Sequence, residues 1–148
     1  MESLKPVQIL LVEDNPDDVE ITRRALSLGR IANDLHVTRD GQEALDFLFR
    51  QGQYGADTPR PDLILLDLNL PKVNGIEVLE RIKTKDGLCS IPVIMLTVSN
   101  RDEDVAKSYK LGSNTYIQKP VEFDKFFHAI EALGEYWIII ATLPPKAA

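Results

Sequence analysis

Three short, unbroken apolar runs punctuate the chain: Ile9-Leu10-Leu11-Val12, Leu63-Ile64-Leu65-Leu66 and Val93-Ile94-Met95-Leu96, each bounded by charged residues, Pro or Gly. Apolar character on both faces of so short a segment predicts parallel strands covered on both sides. A weaker, alternating run, Leu35-His36-Val37-Thr38, suits a strand nearer the sheet edge, and Thr115-Tyr116-Ile117-Gln118 suits a short fifth strand.

Helical spacings fill the gaps. They comprise Ile21, Ala25 and Leu28; Ala44, Leu45 and Leu48; Ile76, Leu79 and Ile82; and Val105, Ala106 and Tyr109. The first helix has a legible start, because Asn15 can cap it and Pro16 suits its first turn, and Gly29 is placed to stop it. Asn74-Gly75 announces the third helix in the same way. A last helix carries Phe123, Phe126, Phe127, Ile130 and Leu133 on one stripe, with Glu122 and Asp124 at the positive end of its dipole.

Five successive βα units imply right-handed crossovers and a sandwich of helix, parallel sheet and helix, so the class is α/β, doubly wound. In such sheets the ligand crevice lies beyond the carboxyl ends of the strands. One long loop, from Gln51 to Pro61, separates the second helix from the third strand.

Composition narrows the picture. With 148 residues and 44% hydrophobic residues the chain can bury one core. Residues 7–134 are expected to form that domain, with residues 1–6 as an N-terminal extension and 135–148 as an apolar C-terminal one. Lys and Arg total 17 against 23 Asp and Glu, and a net charge of -6 opposes attraction to nucleic acid or anionic lipid. No apolar run approaches the roughly 20 residues of a membrane helix, and no signal-peptide core opens the chain, so a cytoplasmic location is expected. The lone Cys89 fits a reducing compartment and reads as an inert small side chain before a strand. His36 and His128 lack metal-ligand spacing and read as surface or packing residues.

The residues that follow the strands carry the chemistry. Glu13 and Asp14 follow the first, Asp67 the third, Thr97 ends the fourth and Lys119 follows the fifth, so all five fall on one rim. Three crowded carboxylates repel one another unless a cation is present, and Mg2+ suits a few carboxylate oxygens while keeping positions open for a phosphoryl oxygen. Phosphoryl transfer asks the protein mainly to align a nucleophile and neutralise spreading charge. In this reading Asp67 is the nucleophile, Lys119 a positive charge on one phosphoryl oxygen and the Thr97 hydroxyl a donor to another. Asp14 is the direct metal ligand opposite Asp67, Glu13 helps through water, and the backbone carbonyl of Asn69 completes the set.

Val12-Glu13-Asp14-Asn15, the stretch from Leu65 through Asp67 and Pro71 to Gly75, Leu96-Thr97 and Gln118-Lys119-Pro120 together resemble the response-regulator receiver family, over about Val7 to Leu133. The resemblance implies a flavodoxin-like (βα)5 sandwich with strand order 2-1-3-4-5. It implies that Asp67 is phosphorylated from a phosphohistidine on a sensor histidine kinase, the receiver catalysing its own phosphorylation and dephosphorylation without being a conventional turnover enzyme. It also implies a cis Lys119-Pro120 bond and a switch in which Thr97 moves toward the phosphoryl group and Tyr116 follows it. Val98, bulkier than the small residue often found there in receivers, leaves the phosphorylation rate open.

The run Trp137 to Ile140 is too apolar to leave exposed, so it either folds back or packs against a partner. A two-fold homodimer through the fifth-helix face, with Phe127, Trp137 and Ile138, is the simplest partner arrangement. The long loop before Asp62 and the Trp137 to Pro144 ending resemble the single-domain response regulators that partner bacterial phytochrome kinases, of the cyanobacterial type. Two rivals stand beside this reading. A haloacid dehalogenase type phosphatase usually has a second Asp where this chain has Asn69, and an unphosphorylated receiver-like adaptor has no need of the intact acidic set.

Overall fold

The computed structural model describes residues 6–28, 32–68, 70–97 and 115–118. In chain order they form β1 (Val7–Val12), α1 (Pro16–Ser27), β2 (Asn33–Thr38), α2 (Gly41–Phe49), β3 (Leu63–Asp67), α3 (Gly75–Lys83), β4 (Val93–Thr97) and β5 (Thr115–Gln118). The strands make one sheet in the order β2-β1-β3-β4-β5, and every neighbouring pair is parallel. The α/β class and the strand order are therefore those expected. The expected helices around Val105 to Tyr109 and Phe123 to Leu133 lie outside the described residues, as does Gly29.

Alternation along β1 and β3 explains why those strands read as unbroken apolar runs. Leu10, Val12, Ile64 and Leu66 face one layer, where they meet Ala44, Leu45 and Leu48 of α2 and Val78, Leu79 and Ile82 of α3. Ile9, Leu11, Leu63 and Leu65 face the other, against Val19, Ala25 and Leu26 of α1. A strand buried on both faces has no polar side to show.

The helix starts follow their local chemistry. Asn15 caps α1, its Oδ1 accepting from the Asp17 and Asp18 amides at 2.9 and 3.4 Å, and Pro16 occupies the first turn. Asp40 caps α2 by accepting from the Glu43 amide at 2.7 Å, while Glu43 Oε1 accepts from the Arg39 amide at 2.9 Å. Asn74 caps α3 through the Glu77 amide at 2.9 Å.

One expected stripe is corrected. Leu28 is not on the buried face of α1 but caps its C-terminus and is 60% exposed. The buried set is Val19, Thr22, Ala25 and Leu26. Leu28 stands two positions beyond Leu26, about 200° around a helix of 3.6 residues per turn, and so points away from the sheet.

Tertiary pairing lengthens the first two strands beyond their apolar runs. Val7 donates to the Ala32 carbonyl at 2.9 Å, and Gln8 lies opposite Asp34. Gln8 Nε2 donates to Asp34 Oδ2 at 2.9 Å, and its Oε1 lies 2.7 Å from His36 Nε2. His36 also packs its ring against Phe47, at 5.5 Å between centroids, which gives it the expected packing role.

The long loop after α2 is strapped down rather than loose. Arg50 Nε donates to the Thr58 carbonyl at 2.9 Å and Arg60 Nη1 to the Leu48 carbonyl at 2.8 Å. Tyr54 sets its ring edge against Phe47 at 5.1 Å and donates its hydroxyl to Glu43 Oε2 at 2.9 Å. Burial and the Glu43 carboxylate push the Tyr54 phenol up to about 12. No helix among the described residues is long and apolar enough to cross a membrane.

Two stability measurements test this account. Ile64→Ala, at a fully buried site on β3, should cost about 2–5 kcal/mol in chemical denaturation. A loss within experimental error would contradict the packing described. Tyr54→Phe keeps the ring contact and removes the hydroxyl with its bond to Glu43, so it should cost about 0.5–1.5 kcal/mol.

Candidate metal centre

Parallel register brings the strand ends to one rim. Val12 lies opposite Thr38 on one side and Leu66 on the other, Asp67 lies opposite Leu96, and Thr97 lies opposite Gln118. Glu13 and Asp14 therefore emerge beside Asp67. One carboxylate oxygen from each of Glu13, Asp14 and Asp67 falls within 4.8 Å of the others.

The three differ in setting. Glu13 continues the β1 ladder by donating its amide to the Thr38 carbonyl at 3.0 Å. Its side chain is fully buried at 0% exposure, and Oε1 accepts from the Asn15 amide at 3.1 Å, tying it to the start of α1. Asp67, the last residue of β3, is 2% exposed. Asp14 is open to solvent. Two buried carboxylates and one exposed carboxylate make a half-open site of hard oxygen donors, which suits a divalent cation that keeps part of its water shell. The donor set fits such an ion, which Glu13, Asp14 and Asp67 together could hold.

The backbone after Asp67 is fixed from two sides. Leu68 donates to the Leu96 carbonyl at 2.8 Å and accepts from the Gly75 amide at 3.0 Å. A Cβ on Gly75 would stand 2.2 Å from the Asp67 carbonyl oxygen, so α3 can start this close to β3 only with glycine there. The Asn74-Gly75 pair is thus more than a helix signal. The connection from β3 to α3 also leans on the β2–α2 turn, where Gly41 donates to the Pro71 carbonyl at 3.3 Å and Lys72 Nζ lies 3.5 Å from Asp40 Oδ2. Sequence reading passed over this turn. Its signal is Asp40-Gly41, one residue beyond the alternating run Leu35 to Thr38.

The remaining expected residues divide into two groups. Thr97 ends β4 on the acidic rim, and Tyr116 lies in β5 opposite Met95. Asn69, Lys119, Phe127, Trp137 and Ile138 lie outside the described residues.

Known proteins share this fold. Residues 9–131 match the response regulator receiver domain. Response regulator Rcp1 of Synechocystis is 43% identical over 143 residues, covering 97% of each chain. The Mn2+-bound form of Rcp1 superposes with a TM-score of 0.81 at 40% identity, covering 97% of this chain and 100% of the other. The phosphorylated cyanobacterial phytochrome response regulator RcpA superposes with a TM-score of 0.84 at 41% identity, covering 95% and 100%. The bacteriophytochrome response regulator AtBRR is 50% identical over 88% of this chain and 94% of its own, with a TM-score of 0.73. On this match and these likenesses, the chain belongs to the response regulator receiver family of two-component signalling.

Proposed function

We propose that this chain is the phosphoacceptor of a two-component phosphorelay, in which Asp67 takes a phosphoryl group from a phosphohistidine on a sensor histidine kinase. The observation that carries the proposal is the placement of Asp67, nearly buried at the end of β3 with a carboxylate oxygen within 4.8 Å of oxygens from Glu13 and Asp14. The Mn2+-bound form of Rcp1 and the phosphorylated form of RcpA support it by likeness.

In the transfer, an Asp67 carboxylate oxygen attacks phosphorus as the bond to the donor imidazole nitrogen breaks. The nitrogen keeps the electron pair, and Asp67 becomes a mixed anhydride. Asp14 and Asp67 would hold Mg2+, with the Asn69 backbone carbonyl as a further ligand and Glu13 helping through water. When bound, the cation offsets charge on the phosphoryl oxygens and the repulsion among the carboxylates. The Lys119 ammonium and the Thr97 hydroxyl take the other phosphoryl oxygens. Hydrolysis of the anhydride resets the protein, which is self-modifying chemistry rather than turnover of a separate substrate.

The output is a change of binding face. Thr97 moves toward the phosphoryl group, Tyr116 follows, and a face that includes Phe127, Trp137 and Ile138 changes its affinity for a second copy of the chain or another protein. Residues 7–134 form the receiver, between the extensions at 1–6 and 135–148. A cytoplasmic setting and a bacterial phytochrome as the kinase complete the reading, the latter supported by likeness to RcpA and AtBRR.

Incubation with acetyl phosphate and Mg2+ followed by intact mass should reveal one added phosphoryl group on the wild-type chain and none on Asp67→Asn. A wild type without a Mg2+-dependent adduct would overturn the proposal. Asp14→Asn should weaken Mg2+ binding by about tenfold or more in calorimetry. Asp17→Asn, an acidic change nearby in α1 but outside the cluster, should leave it unchanged. Tyr116→Ala should keep the phosphoryl adduct and lose the phosphorylation-dependent change in self-association, read by sedimentation.

A further inference from the structure

We infer that Gly41, which has no functional group and lies outside the acidic cluster, is a positioning residue for the cation; this rests on the reading of Asp14 and Asp67 as cation ligands. An ideal Cβ on Gly41 would stand 1.8 Å from the Val73 carbonyl oxygen, 2.6 Å from its carbon and 2.8 Å from Val73 Cβ. Two of those atoms are backbone, so they give way only if the loop itself moves. The Gly41 amide holds the same loop by donating to the Pro71 carbonyl at 3.3 Å. Between these contacts Lys72 adopts a left-handed φ of 67°.

This loop issues directly from the phosphoacceptor strand. Only Leu68, Asn69 and Leu70 separate Asp67 from Pro71. At its far end the loop closes on Gly75, whose Cβ would stand 2.2 Å from the Asp67 carbonyl oxygen.

The β2–α2 turn also reaches the opposite half of the site. The Thr38 carbonyl accepts from the Glu13 amide at 3.0 Å, and three residues later Gly41 meets the loop after Asp67. One short turn thus contacts Glu13 at the end of β1 and the loop that follows the end of β3. A Cβ at position 41 pushes the β3–α3 loop away from α2 and shifts the backbone after Asp67, while every carboxylate stays in the chain. Affinity for the cation falls, and the number of sites does not.

The test titrates Mn2+ alone into the full chain by calorimetry, for wild type, Gly41→Ala, Gly55→Ala and Lys72→Pro. Each is held at a temperature where circular dichroism reports a folded protein. Gly55 has only Asp57 Oδ1 near its Cβ position, at 3.3 Å, and serves as the control. Proline fixes φ near about -65°, so Lys72→Pro displaces the same loop with Gly41 in place, at the cost of the exposed Lys72 partner of Asp40, and carries the test if Gly41→Ala does not fold. Gly41→Ala and Lys72→Pro should bind Mn2+ about tenfold more weakly at unchanged stoichiometry, with Gly55→Ala like wild type. A purely structural role would lower the metal-free melting temperature and leave the affinity of the folded protein intact. Folded Gly41→Ala, or Lys72→Pro in its place, binding Mn2+ as tightly as wild type overturns the positioning role. A wild-type chain that binds no Mn2+ overturns the cation reading itself, and the inference with it.

Discussion

Like charges held together against their repulsion are the constraint on which the rest of this structure depends. Glu13, Asp14 and Asp67 place oxygens within 4.8 Å of one another, and two of the three side chains are almost wholly buried. Such a cluster persists only if the backbone beneath it cannot spread. The parallel ladder supplies that resistance, with Val12 in register between Thr38 and Leu66, Glu13 bonded to the Thr38 carbonyl and Leu68 anchored to the Leu96 carbonyl just past Asp67.

The rigidity of the ladder comes from its two covers. Leu10, Val12, Ile64 and Leu66 pack against α2 and α3, and Ile9, Leu11, Leu63 and Leu65 pack against α1. A sheet closed on both faces cannot bend toward either layer without opening a cavity, which interiors resist. The carboxylates thus sit on a stiff rim, with Asp14 exposed beside the nearly buried Asp67.

Loops take the same part at shorter range. Glu13 is turned toward α1 by the Asn15 amide, and the segment after Asp67 is compressed between Gly41 and Gly75. The long loop after α2 is bound by Tyr54, Arg50 and Arg60 to the helix it leaves, on an element that also supports the β3–α3 connection. Among the described residues, local backbone contacts hold these segments in place.

Much of this was legible in the residues alone, wherever cause and effect lie close along the chain. Continuous apolar runs marked β1, β3 and β4, and Asn15-Pro16 and Asn74-Gly75 marked two helix starts, because a cap acts on amides two or three residues away. The ordering of Glu13, Asp14, Asp67 and Thr97 at strand ends determined which chemistry to seek. Tertiary structure alone decided that Leu28 faces solvent, that β1 and β2 extend back to Val7 and Asn33, and that Gly41 must lack a side chain. Each of these depends on an atom distant in sequence: the sheet that α1 packs upon, the partner strand's carbonyl, or the Val73 backbone. Periodicity and local propensity carry no record of such neighbours, because they describe a segment's own geometry and not what the fold brings against it.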